Sequence, residues 1–196
     1  MTVPAGAYGP ERIRPLGADE ARSRAEGVGV PIYMTALNVF RVLLNNSGVA
    51  RACNELLAEL LFRGALDVRL RELIIMRLGW TTGSVYEWTQ HWRIAKELGI
   101  PADDLLAVRT WEGHAGFSPA DRAVLAATDE TVAEGVISAE TWNRLRAHVA
   151  EDDALLVEVL AVIGCWRMVA SILRSAEVPL EDGVEPWPPD GLAPSG

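Results

Sequence analysis

Between residues 33 and 175 the apolar side chains recur at spacings of three and four, and nowhere do they alternate with polar ones long enough to make a strand. This regularity predicts an all-α chain. The spacing predicts helices over 33–45 and 49–62, broken by Asn46-Ser47-Gly48. Residues 68–80 follow and end at Thr81-Thr82-Gly83. The next helix covers 85–98, and Gly99-Ile100-Pro101 stops it with glycine past the last turn and proline beyond. A shorter helix is expected over 102–111. Ser118-Pro119-Ala120-Asp121 opens another, with a serine cap, proline at the first helical position and an acid in the first turn. Ser138 caps a helix ending near residue 149, and Asp152 or Asp153 starts a long one reaching residue 175. The expected architecture is a compact helical bundle.

The flanks read differently. Residues 1–30 are rich in Gly, Pro and Arg without a sustained period and are expected to form an arm. Residues 31–176 then make the helical domain. The tail, 177–196, holds Pro179, Pro186, Pro188, Pro189 and Pro194, which exclude a helix. Eighteen basic residues against 27 acidic ones give a net charge of −9, which disfavours nucleic acid and anionic membrane as partners. The most apolar stretch, 154–164, is short and carries Glu158, so no membrane span is expected. The opening residues lack a basic segment followed by an apolar run, and a cytoplasmic location is expected. The two cysteines, Cys53 and Cys165, are far apart and suit buried inert thiols, with neither a disulfide scaffold nor a zinc site.

One helix face carries chemistry. Ser84, Glu87 and His91 stand at i, i+3 and i+7, within about 60° of one another around a helix, with Trp88 beside them. Glu87 and His91 are four residues apart and can touch, so the pair is suited to moving a proton near neutral pH. A structural reading competes: Ser84-Val85-Tyr86-Glu87 is also a capping box, in which both side chains serve only the helix start. Glu72 lies in an otherwise apolar stretch. It pairs with Arg69 or Arg71, or it faces the start of the following helix across a hairpin at 81–83.

With these residues in view, a family resemblance appears. Arg71-Glu72-Leu73 followed by Trp80-Thr81-Thr82-Gly83-Ser84-Val85-Tyr86-Glu87-Trp88-Thr89-Gln90-His91 resembles the core of the carboxymuconolactone decarboxylase-like superfamily, which includes the alkyl hydroperoxidase D proteins. The resemblance runs from about residue 38 to residue 175 and is to the Tyr-Glu-Trp-x-x-His branch. In the peroxidase branch the pattern is a glutamate, a CxxC pair and a histidine. Glu72 and His91 match the first and last, whereas Ser84 and Glu87 occupy the cysteine positions. A hydroxyl and a carboxylate cannot cycle through sulfenic acid and disulfide, so thiol peroxidase chemistry of that kind is not expected. Relatives of this branch also carry a His-Tyr-His-Met run in the last long helix, where this chain has Gly164-Cys165-Trp166-Arg167-Met168.

The resemblance implies a cofactor-free decarboxylase, lyase or isomerase type of enzyme on a small carboxylate- or carbonyl-bearing molecule. The candidate catalytic residues are His91 as base or acid, Glu87 orienting it, Glu72 as second proton carrier, and Ser84. Tyr86, Trp88 and Arg167 are candidate substrate-binding residues, Arg167 as an anchor for an anion. A second expectation is a non-catalytic binder with an aromatic pocket from Trp80, Trp88, Trp92 and Trp166. A third is a metal held by Glu72, Glu87 and His91; His114 and His148 lie in no ligand spacing with them, and neither metal nor cofactor is expected. The resemblance further implies a homo-oligomer, trimer or hexamer.

Overall fold

A computed structural model describes residues 12–186 and residue 192. Among these residues there are nine α-helices and no strand. They are α1 (Ala18–Val28), α2 (Asn38–Leu43), α3 (Ser47–Ala58), α4 (Val68–Thr81), α5 (Val85–Glu97), α6 (Ala102–Ala107), α7 (Pro119–Glu134), α8 (Ala139–His148) and α9 (Asp153–Ser175). The capping signals explain most of these starts. The side chains of Asn46, Asp67, Ser118, Ser138 and Asp152 each accept a bond from a backbone N–H of the first turn. At Ser118 the reciprocal bond from Asp121 completes a capping box.

The central element is α4, packed against α5, α7 and α9. It is buried on nearly every side, which is why Leu70 to Gly79 is apolar apart from Arg71, Glu72 and Arg77. Leu70, Ile74, Ile75 and Leu78 join Ala123, Val124, Val159, Val162 and Trp166 in the main core, while Leu73 and Met76 face Trp88, Leu105 and Leu125. Gly79 lets α5 approach: a Cβ there would lie 3.1 Å from the backbone nitrogen of Trp88. Gly83, at φ 68°, closes the turn between the two helices. The hairpin across residues 81–83 expected from the sequence therefore forms.

Four elements differ from expectation. Residues 12–30 are not simply an arm. In α1, Ala21 and Ala25 are fully buried against a cluster with Phe40, Leu44, Ala50 and Cys53; a face made of alanines carries too weak an apolar contrast to read as a period. The 33–45 helix is instead a 3₁₀ turn (Ile32–Ala36) followed by α2. The 49–62 helix begins at Ser47 and changes at its end to a π-helical turn, Glu59–Arg63. The 102–111 helix is α6 continued by a 3₁₀ segment, Val108–Gly113. Residues 177–186 are non-helical, as their prolines require, while 1–11, 187–191 and 193–196 lie outside the described residues. By length and composition α9 is apolar enough to cross a membrane; here Leu156, Val159, Val162, Ile163, Trp166 and Leu173 bury one face of it in the core.

Candidate active site

The hairpin of α4 and α5 brings Glu72 to His91. His91 Nδ1 lies 2.8 Å from Glu72 Oε2, and Glu72 is fully buried. The other carboxylate oxygen of Glu72 accepts from Arg71 Nε at 3.1 Å. Arg71 also donates to the carbonyl of Leu61, at 2.9 Å, within the π-helical turn. On the far side of the imidazole, Trp166 Nε1 of α9 donates to His91 Nε2 at 3.1 Å, the two rings meeting edge to face. Both ring nitrogens are therefore engaged. Accepting from an indole leaves Nε2 with its lone pair, so Nδ1 carries the proton and donates it to Glu72. Burial opposes a charge on Glu72, yet His91 and Arg71 together outweigh it and hold its pKa below the usual glutamate value.

Glu87 does not orient His91, contrary to expectation; Glu72 takes that place. The capping box at Ser84 does not form either. Neither Ser84 Oγ nor either carboxylate oxygen of Glu87 has a hydrogen-bond partner, and the two residues are 1% and 2% exposed. The physical reason is local. The backbone N–H of Ser84, which a capping glutamate would bind, already donates to the Gly79 carbonyl at 2.9 Å in the hairpin turn. Glu87 is left inside the bundle, and burial raises its pKa well above the ordinary value. Burial thus favours its neutral, protonated form, a species able to donate a proton.

The other candidates are placed as follows. Tyr86 is buried, and its hydroxyl donates to Glu181 while accepting from the Val39 amide at 3.3 Å. Burial and the adjacent Glu181 push its pKa up. Glu181 also accepts from Gln90 Nε2 at 2.5 Å and from the Asn38 amide at 2.8 Å. The segment after α9 is thereby strapped to α2 and α5 through a residue with no local sequence signal. Trp88 is buried beside Trp80, ring centroids 5.5 Å apart, with the Arg109 guanidinium over both rings. Arg167 is exposed and donates to the Thr131 carbonyl at 2.9 Å, so it is not brought to the Glu72–His91 cluster. Of the two arginines proposed for Glu72, Arg71 is the partner; Arg69 pairs with Asp104 and Asp121. Among the described residues no three His, Cys, Asp or Glu side chains converge to hold a metal ion. Burial, and then the neighbouring Cys53, push the Cys165 thiol up to about 12, which keeps it protonated and unreactive at neutral pH.

The model of the carboxymuconolactone decarboxylase family matches residues 48–130, the segment that carries Glu72, Ser84, Glu87 and His91. No curated protein matches the chain. Similar solved structures are all-α. The alkylhydroperoxidase AhpD core of an uncharacterized peroxidase-related protein from Ralstonia eutropha has a TM-score of 0.71 at 18% identity, covering 90% of this chain and 95% of that one. An uncharacterized peroxidase-related protein from Silicibacter sp. has a TM-score of 0.70 at 16% identity, covering 91% and 97%. The debrominase Bmp8, in complex with 2,3,4-tribromopyrrole, has a TM-score of 0.69 at 16% identity, covering 93% and 95%. The chain thus shares the all-α fold of these alkylhydroperoxidase AhpD-like structures, and its segment 48–130 is similar to the carboxymuconolactone decarboxylase family.

Proposed function

We propose that this chain is a cofactor-free acid–base enzyme of lyase or isomerase type acting on a small carbonyl- or carboxylate-bearing molecule. One observation carries the reading: Glu87, enclosed in the bundle one helical turn from His91, has no hydrogen-bond partner for either carboxylate oxygen, and burial raises its pKa. An unsatisfied buried carboxyl costs about 1–3 kcal/mol. Its retention is explained if the carboxyl delivers a proton to bound substrate. His91, oriented by Glu72, is the base. Its Nε2 lone pair is held by the Trp166 indole in the resting form, so the indole must release it before His91 takes a proton. Ser84 lies at the start of the same helix as a hydroxyl donor.

The test is a screen of small keto acids and carboxylic acids for CO₂ release and for solvent deuterium incorporation, read by NMR. Native protein is expected to act on a member of the set. Glu87→Gln and His91→Ala should each lose about 10²- to 10⁴-fold, the usual contribution of a general acid or base. Full activity in both variants would refute the reading. The indole on His91 Nε2 favours a second reading, a non-catalytic small-molecule binder; it would gain if ligands bound without turnover. A cytoplasmic location and a homo-oligomer, trimer or hexamer, belong to the same proposal; they are checked by fractionation and by light scattering.

A further inference from the structure

Although α9 is apolar enough to cross a membrane, only 39% of its most apolar stretch is buried in the bundle. A helix at the surface of a folded chain ordinarily turns a polar face outward. Here the outer face is apolar. Val157 is 63% exposed, Leu160 and Met168 are each 40% exposed, and Gly164 and Ser171 are exposed with them. Spacings of three and four place all five in one stripe. The charged side chains on its two flanks are turned off it. Glu158 accepts from the Ala65 and Leu66 amides at 2.9 and 3.0 Å, and Arg167 donates to the Thr131 carbonyl at 2.9 Å. A continuous apolar stripe of this kind marks an interaction surface.

The stripe is symmetric about Gly164. Leu160 and Met168 lie four residues to either side of it, Val157 and Ser171 seven. A Cβ at Gly164 would meet no atom within 4 Å, so the centre is open to close approach by another backbone. Charge follows the same symmetry with opposite sign. Asp153 stands eleven residues before Gly164 and Arg174 ten after it, on the same flank of the stripe, and both are exposed. Asp153 has Arg146 at 2.5 Å, yet its side chain is still 81% exposed. At the helical rise Asp153 and Arg174 are about 32 Å apart, so they do not meet within one chain. A second α9 laid antiparallel about a two-fold axis at Gly164 sets Leu160 against Met168 and Asp153 against Arg174, each twice. A parallel partner sets like charges together instead. The helix dipoles favour the antiparallel direction as well. The net charge of −9 disfavours an anionic lipid surface as the cover.

We infer that the outer face of α9 is a self-association surface that takes a second copy of this chain, antiparallel, about a two-fold axis at Gly164. This goes beyond the acid–base reading and does not depend on it. It also narrows the expected assembly: a dimer, or a hexamer of two facing trimers, contains such an axis, and a lone trimer does not.

The experiment is size-exclusion chromatography with light scattering on the full chain, with circular dichroism to check the fold of each variant. The native chain is expected as an even-numbered oligomer. Leu160→Asp should keep the native helix content and halve the assembled mass; Met168→Asp, on the facing side of the contact, is the independent second variant. Asp153→Arg and Arg174→Asp each set like charges together and should weaken association about tenfold, whereas the double variant restores opposite charges and should return to within about threefold of native. Damage to the fold alone would not be repaired in this way. Four results overturn the inference: a native monomer or trimer, an unchanged mass in both aspartate variants, a double charge variant no stronger than the single ones, or a native monomer that floats with phosphatidylcholine vesicles, which would give the face to lipid. No turnover in the acid screen by an even-numbered oligomer would remove the enzyme reading alone. Full turnover by a monomer would remove this surface alone.

Discussion

Replacing Glu87 by glutamine should change how stability depends on pH, in a direction set by the burial of that carboxyl. In the unfolded chain a glutamate titrates near about 4.3. In the folded chain burial raises the pKa well above this. Between the two values the folded state keeps a proton that the unfolded state has released. Stability therefore falls as pH rises through that window, by up to about 1.4 kcal/mol per pH unit for one proton, and levels off above the folded pKa. Glutamine has nearly the same shape and does not titrate. Below pH 4 the variant should match the native chain to within about 1 kcal/mol, since both bury an unsatisfied polar head. From pH 5 upward the variant should become progressively the more stable. Urea unfolding at intervals from pH 4 to pH 9, with unchanged m-values, measures the difference directly. A difference that stays flat with pH, or a variant that weakens relative to native as pH rises, would refute the argument.

Four other outcomes follow from the same geometry. Glu72→Ala strands Arg71 in the core without its carboxylate and should cost about 3–5 kcal/mol by urea unfolding. Glu72 itself has a lowered pKa, so its contribution is present above the unfolded value and is lost on acidification through the folded one; native acid unfolding should show this limb and Glu72→Gln should not. Trp166→Phe removes the indole donor from His91 and should cost about 1 kcal/mol for the hydrogen bond while opening Nε2 to carbethoxylation by diethyl pyrocarbonate, mapped by mass spectrometry against His114 and His148. Glu177, at φ 54°, holds the left-handed position after α9 where glycine is preferred; Glu177→Gly should raise stability by about 0.5–1 kcal/mol even after loss of its exposed pair with Arg12.

What could be read from the chain depended on how local the signal was. Ser118, Ser138 and Asp152 announce helix starts because a cap acts within one turn, and α7, α8 and α9 begin where they indicate. The hairpin turn at 81–83 was equally plain, and with it the approach of Glu72 to α5. Local pattern misled at Ser84, where S-x-x-E has the form of a capping box but the amide it would serve is taken by Gly79. The i, i+4 rule likewise suggested Glu87 as the partner of His91, whereas a residue on the neighbouring helix lies closer to hand. Trp166 and Glu181 reach the cluster across 75 and 91 positions of sequence, to His91 and to Gln90. Contacts of that range depend on packing and leave no periodic trace. The alanine face of α1 was missed for a different reason, the absence of any large side chain to mark it.

The account depends on Glu87 being an un-ionised acid inside the folded protein. The most direct measurement is ¹³C NMR of glutamate side-chain carboxyls as a function of pH, with Glu87→Gln used to assign the resonance. The account predicts a Glu87 carboxyl that is protonated at pH 7 and titrates far above the exposed glutamates. A Glu87 signal that ionises together with them near about pH 4.3 would contradict it.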